Sequence, residues 1–289
     1  NFLEKFNLMK NLDNTNTLLK FKILIIKIIL ILGQNTFIGR GILRKKLINF
    51  INYLIGQGSI KHPRFVCKID NIPFYFYNDK LTFIKVYFGR NDNYEINFVK
   101  ENSLNKSVFI DIGSNMGLYT LNVANLINKK REIKIIAIDA HPVNNNRLKE
   151  NLKLLKTKIP NIFSYVKIKN CAVGDRNTTL NLDYSNGLAN GFISKNKKNI
   201  SVKCKTLINI INNEKIKYIT NLKIDIEGFE EKVLFTFLNK CKKTLIPKNI
   251  ILEHSMNKKL KIDLIKFLLK FGYKEIFKNK SNIIFNFQK

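Results

Sequence analysis

Residues 223–231 read KIDIEGFEE and hold four acids within seven positions, Asp225, Glu227, Glu230 and Glu231, in a chain with 51 basic and only 21 acidic side chains. Carboxylates at the end of an apolar run suit general base work, because a strand end can present them to a hydroxyl whose proton must leave during attack. Lys223 stands two residues before Asp225. On a strand that spacing puts both on one face, where the ammonium holds the acid ionised or orients a substrate oxygen. His254, which follows Glu253 in ILEHS, is a further candidate base. Each residue also has a plainer role. Asp225 and Glu227 at the start of a helix are favourable partners for its dipole by about 0.3 to 1 kcal/mol. Gly228 then supplies a sharp turn, and Glu230 and Glu231 read as first-turn dipole partners or solvated charges. A lone strand-end His is often structural. Asp225, Glu227 and Glu253 are hard oxygen ligands of the type that suits magnesium, but no third ligand position is assured, so no metal site is expected.

A second constellation lies in FIDIGSNMGLYT, residues 109–120. Asp111 ends an apolar strand, and Gly113, Asn115 and Gly117 occupy the turn before a helix. Glycines in such a turn let the backbone approach a ligand, and the helix start offers unpaired N–H donors. Asp139 ends the next strand, 22 residues beyond Gly117, close to the spacing at which a carboxylate meets the ribose of a nucleoside cofactor. The dinucleotide fingerprint GxGxxG is not met, and the phosphate loop GxxxxGK[ST] is absent. An acid in the turn repels a pyrophosphate but can pair with an amino acid's ammonium. A nucleoside cofactor with an amino-acid end and no phosphate is S-adenosylmethionine (SAM).

The elements that position these residues alternate. Strands are expected over 108–112, 133–138, 162–173, 218–224 and 249–252, with helices over 118–128, 143–156, 229–239 and 258–271. This rhythm predicts a parallel, doubly wound α/β sheet with ligands at the carboxyl ends of its strands. The chain closes with YKEIFKN and NIIFNFQ around Lys280 and Ser281, a terminal antiparallel hairpin. Upstream, RFVCKID and IPFYFYN form a hairpin about Asp70 and Asn71 that leads into a helix over DNYEINFVKEN. Residues 175–205 read as strands around an inserted loop, with 187–194 as a candidate substrate lid.

In order and spacing, VFIDIGSNMGLYTL, IDAHP, NCAVGD, LKIDIEGFEEKVL, ILEHS and FGYKEI resemble the FkbM family of SAM-dependent methyltransferases over residues 64–289. The resemblance implies the seven-stranded class I (Rossmann-like) methyltransferase sheet, SAM as cofactor, and O-methylation of a hydroxyl on a sugar or a polyketide-like product. It adds Ala172 and Asp175 of NCAVGD to Asp111, Gly113, Asn115, Gly117 and Asp139 as cofactor-binding positions. This chain departs from the family where Asp139-Ala140 replaces the usual Glu-Pro before His141-Pro142.

Composition bounds the remaining classes. The net charge of +30 suits an anionic partner, and an RNA ribose methyltransferase is the alternative reading. Only seven of the basic residues are Arg, however, and the lysines are dispersed in a chain equally rich in Asn and Ile, as A/T-rich codons produce. Phosphate readers favour Arg forks, so a solvated basic surface is expected. DIEG also differs from the Asn/Asp-Pro-Pro-aromatic run of base-amino methyltransferases. The four cysteines show no CxxC or zinc spacing and fit a reducing, cytoplasmic compartment. The apolar stretch 21–32, FKILIIKIILIL, is short for a span and interrupted by Lys27. It is expected to pack within the protein, with peripheral membrane contact as the alternative. The resulting domain scheme is a basic helical extension over 1–60 and a methyltransferase domain over 61–289, comprising a lead-in over 61–103 and a core over 104–289.

Overall fold

The structure, a computed structural model, describes residues 63–69, 71–77, 93–128, 131–183, 192–193, 200–226, 228–254 and 263–288, with single helical positions between 21 and 53. The chain forms two compact units, Asn1–Asn91 and Asp92–Lys289. The sequence boundary at residue 60 marks the end of the basic region, whereas the units part at 91/92.

In the first unit, β1 (Pro63–Ile69) and β2 (Ile72–Tyr77) pair antiparallel through a turn in which Asn71 takes φ +66°. Asn accepts this left-handed conformation more readily than other non-glycine residues. Among the described residues no helix is long and apolar enough to cross a membrane. Within the stretch 21–32, the described positions Phe21, Leu24, Ile25, Ile28 and Ile29 are helical, Phe21 and Ile28 exposed and the other three half-buried.

The second unit opens with α1 (Asn93–Glu101) and then builds a seven-stranded sheet. β3 (Val108–Ile112), β4 (Lys134–Asp139), β5 (Val166–Asn170), β10 (Asn221–Ile224) and β11 (Asn249–Glu253) are parallel, and β12 (Tyr273–Lys278) and β13 (Asn282–Phe287) form the antiparallel hairpin. The order is β12-β13-β11-β10-β3-β4-β5. It reverses between β3 and β10, the crevice where open α/β sheets bind ligands. This is the class I methyltransferase topology expected from the sequence. β3 and β10 are buried at every position, as central parallel strands covered on both faces must be.

Helices α2 (Leu118–Ala124), α3 (Pro142–Lys153), α6 (Glu230–Lys240) and α7 (Leu264–Phe271) lie close to where the periodicity placed them, α2 stopping earlier, at Ala124, and 258–262 of the expected last helix lying outside the described residues. Their ends follow from local chemistry. His141 caps α3 through its ring, with Pro142 in the first turn, and Asp263 caps α7, which Gly272 ends in the left-handed conformation.

Two segments differ from expectation. Residues 162–173 are not one strand. Ile162–Tyr165 form the short helix α4, Val166–Asn170 form β5, and Cys171 bends the chain into β6 (Ala172–Gly174). β6 leaves the main sheet and pairs with β9 (Ile200–Thr206) in a four-stranded sheet completed by β7 (Thr178–Asp183) and β8 (Phe192–Ile193). A helix the sequence reading omitted, α5 (Leu207–Asn213), follows β9 and is capped by Thr206.

At the end of the sheet away from the strands' carboxyl termini, side-chain amides form a row. Asn221 donates to Ser103 Oγ at 3.2 Å, Asn249 to Asn221 Oδ1 at 2.9 Å and Asn286 to Asn249 Oδ1 at 2.7 Å. Asn221 and Asn249 are fully buried, and the row satisfies amides that would otherwise be costly there.

Candidate active site

The ends of β3 and β10 approach so closely that a side chain at Gly113 is excluded. Its φ is +77°, and an added Cβ would lie 1.8 Å from the backbone oxygen of Asp225. Asp225 N–H donates to Ile112 O at 3.1 Å, which locks the two strand ends together. Gly117, also left-handed, opens α2 against Leu148 and Leu121.

The turn spends its own N–H groups. Gly113 and Ser114 donate to Ile138 O, Asn115 to Asp139 Oδ2 at 2.9 Å, Met116 to Asn115 Oδ1 and Gly117 to Ser114 O. The unpaired donors expected from the sequence belong to the helix start, whereas the N–H groups of the turn before it are engaged. With its N–H groups tied internally, the turn is no phosphate cradle, which agrees with a phosphate-free cofactor.

Asp139 terminates β4 as the acceptor hub of this turn. Oδ1 accepts from His141 N at 2.8 Å and Asn144 Nδ2 at 3.1 Å, and Oδ2 from Asn115 N. Oδ2, with that one donor, keeps acceptor capacity of the kind a ribose hydroxyl uses. Burial pushes the Asp139 carboxyl up to about 6, against the lowering effect of these hydrogen bonds. Around it, Asn145 donates to Asp139 O and His141 O, Asn170 to Asp139 O and Ala140 O, and Asn151 reaches Met116 O. The short strand-end Asp is therefore held by a set of carboxamides.

Lys223 is the other centre. Its Nζ donates to Gly113 O at 2.9 Å, lies 3.3 Å from Asp225 Oδ2 and 3.7 Å from Asp111 Oδ1, and sits 5.4 Å from the centre of the Tyr119 ring. Asp111 is 1 % exposed, and its Oδ2 accepts from Thr120 Oγ1 at 2.7 Å. Burial raises the Asp111 carboxyl, with Lys223 and Thr120 opposing. The sequence reading paired Asp111 with an ammonium, and the ammonium nearest it belongs to Lys223. Asp225, whose side chain is 41 % exposed, is the acid of this trio that faces solvent.

Glu230 corrects an expectation. It lies in the first turn of α6 but is 2 % exposed, and its two oxygens accept from Ile226 N at 2.8 Å and Gly228 N at 3.0 Å. It clamps the turn that follows Asp225 rather than meeting solvent, and burial raises its carboxyl. Phe229, at the start of α6, makes no side-chain cap. Glu227 lies outside the described residues, as does the 187–194 segment apart from Phe192 and Ile193 of β8.

The other candidates are spread out. His254 joins the C-terminal hairpin: its N–H donates to Ser281 O at 2.8 Å and its Nε2 lies 2.7 Å from Asn279 O. Ala172 is half-buried on β6, and Asp175 is exposed in the bend beyond it. Among the described residues no group of three or more His, Cys, Asp or Glu side chains is arranged to hold a metal ion. Thr120, Asn144 and Asn151 were not singled out as site residues by the sequence. Thr120 and Asn144 act on acids five to nine residues away, and Asn151 reaches across 35 residues to Met116.

The family profile described as the methyltransferase FkbM domain matches residues 111–275. No curated protein matches the chain in sequence. Among solved structures, a methyltransferase FkbM from Methylobacillus flagellatus is similar at 15% identity and a TM-score of 0.42, over 64% of this chain and 44% of that one. Trm5b from Pyrococcus abyssi is similar at 13% identity and a TM-score of 0.42, over 81% of this chain and 57% of that one. A methyltransferase from Geobacter sulfurreducens follows at 10% identity and a TM-score of 0.40, over 69% and 79%. The chain thus spans less than half the length of the Methylobacillus protein.

Proposed function

The chain belongs to the FkbM family of methyltransferases, and from that premise we propose that it methylates a hydroxyl on a sugar, glycan or small-molecule acceptor with SAM as the methyl donor. The observation that carries the reading is Asp225, a half-exposed carboxylate at the crevice between β3 and β10, held beside Lys223 and the Gly113 turn. Lys223 favours its ionised form, the form able to accept a proton. As the new oxygen–methyl bond forms, the acceptor's proton passes to this carboxylate. Glu227 and His254 are the lesser candidates for that step, His254 because its ring is already engaged with Asn279 O.

The residues present fit SAM. The turn at Gly113, Asn115 and Gly117 offers backbone without a phosphate cradle, and Asp139 keeps an acceptor position for a ribose hydroxyl. Ala172 and Asp175, next in sequence to the β5 end that Asn170 ties to Asp139, are proposed to border the base. SAM brings a methyl already activated on sulfur, so the protein's work is alignment, proton removal and exclusion of water. We also assign the chemistry to the second unit and propose a cytoplasmic protein in which 21–32 packs within the chain, with peripheral lipid contact through it as the alternative.

The test is labelled methyl transfer from SAM into separated polysaccharide, lipid, small-molecule and RNA pools, with Asp225→Asn alongside. Label in hydroxyl-bearing glycans or small molecules, with kcat in Asp225→Asn lowered by about 10²- to 10⁴-fold, is the expected result. Methylation confined to RNA, with binding that weakens steeply as salt rises, overturns it.

A further inference from the structure

The sheet edge that carries Asp225 continues past β11 to the turn between β12 and β13, and its far end is aromatic. β11 and β12 both run antiparallel to β13. The end of β12 and the start of β13 therefore lie at the same edge as Glu253 and Asp225. The first turn of α1 is fastened there by Glu95, fully buried, which accepts from Asn279 Nδ2 at 2.6 Å and Asn282 Nδ2 at 3.1 Å. Beside it Tyr94 lies on Phe277 with ring centres 4.0 Å apart and planes 18° from parallel, yet Tyr94 remains 51 % exposed. One face of the Tyr94 ring is backed by Phe277, and its exposure leaves the ring open to solvent. A flat ring fixed from behind and open in front is a stacking surface.

We infer that Tyr94 is the platform of a remote acceptor subsite for a sugar ring, so that the acceptor is an oligosaccharide with one ring on Tyr94 while its reacting hydroxyl lies at Asp225. The inference rests on the glycan reading above and narrows it. β10 and β12 are three strand spacings apart, about 14 Å, wider than one sugar ring and suited to a short chain of them. Along that edge stand Asp225 and Glu253. Carboxylates accept hydrogen bonds from sugar hydroxyls and repel a phosphodiester backbone. Lys278 and Lys280, exposed at the hairpin turn, extend the preference to rings that bear an acid group.

The experiment measures labelled methyl transfer from SAM to methyl glycosides and to matched oligosaccharides of two to five units, drawn from hexoses, deoxyhexoses and uronic acids. Wild type is compared with Tyr94→Ala, Tyr94→Leu and Tyr94→Phe. Leu keeps an apolar cover over Phe277 without a flat ring, which separates loss of stacking from loss of fold. The kcat/KM advantage of long over short acceptors is expected to fall on the order of five- to tenfold in the Ala and Leu variants and to be retained by Phe. Transfer to saccharides with the same length advantage in all four proteins overturns the platform and leaves O-methylation standing. Wild-type transfer to none of the saccharides, or to single-stranded RNA instead, overturns the glycan reading and the platform together.

Discussion

The Lys223 ammonium donates to the carbonyl oxygen of Gly113 at 2.9 Å, so a charge on β10 holds the turn that ends β3. The same ammonium stands between a buried acid, Asp111, and a half-exposed one, Asp225. It is at once a fastener of the cofactor turn and the counter-charge of the proposed base.

Removing that ammonium leaves Asp111 as an uncompensated buried charge. Lys223→Met should therefore destabilise the fold by about 3 to 5 kcal/mol, and Lys223→Met with Asp111→Asn should recover much of the loss. Urea midpoints of the two variants against wild type measure this. A single variant within about 1 kcal/mol of wild type would show that the pair does not hold the turn.

Asp139 links pH to stability and to binding with opposite signs. Its carboxyl is raised by burial from 3.8 to about 6, so between those values the folded protein holds the proton more tightly. The stability it contributes is present below pH 3.8 and is lost as pH rises through about 6. The ionised carboxylate is the form that accepts from Asn115 N–H and a ribose hydroxyl, so SAM affinity should increase as pH rises through about 6. Calorimetric titration of SAM from pH 5 to 8 should show this step in wild type and not in Asp139→Asn, and a pH-independent wild-type affinity would refute it.

The two glycines around Asp225 should respond differently to the same substitution. Gly113→Ala drives a Cβ into the Asp225 backbone at 1.8 Å, whereas Gly228, at φ +97°, has open space around it. Gly228→Ala should cost about 1 to 2 kcal/mol of backbone strain and leave a folded protein. Gly113→Ala should fail to fold or lose SAM binding outright. Soluble yield and melting temperature distinguish them, and equal values for the pair would contradict the contact.

Glu230 should matter through the turn it clamps. Glu230→Ala strands two part-buried N–H groups, each worth at most about 1 to 3 kcal/mol, and releases the segment after Asp225. Glu230→Gln retains one carbonyl oxygen and should keep part of both stability and kcat. If alanine and glutamine variants match wild type in kcat, the clamp is not a positioning element.

The central strands were legible because burial on both faces writes them as apolar runs, as in VFIDI and KIIAID. The period of two also put Lys223 and Asp225 on one face. Residues 162–173 were misread because a continuous apolar-rich run does not reveal where a chain changes sheets, and the bend at Cys171 depends on pairing with β9. TLINIINN gave no clear helix signal because Asn, a weak helix former, interrupts its apolar residues. The inward turn of Glu230 onto the N–H groups just before it, and the reach of Asn170 and Asn151 across 31 and 35 residues to the Asp139 turn, are matters of side-chain direction that spacing alone does not encode.

The amide row through Asn221, Asn249 and Asn286 acts as a datum line for the sheet. A strand displaced by one residue would bring an apolar side chain against a buried carboxamide, so misalignment is penalised at the end remote from the chemistry. Alignment is thereby separated from recognition: loops at the opposite edge can be lengthened or exchanged while the strands that deliver Asp111, Lys223 and Asp225 keep their places.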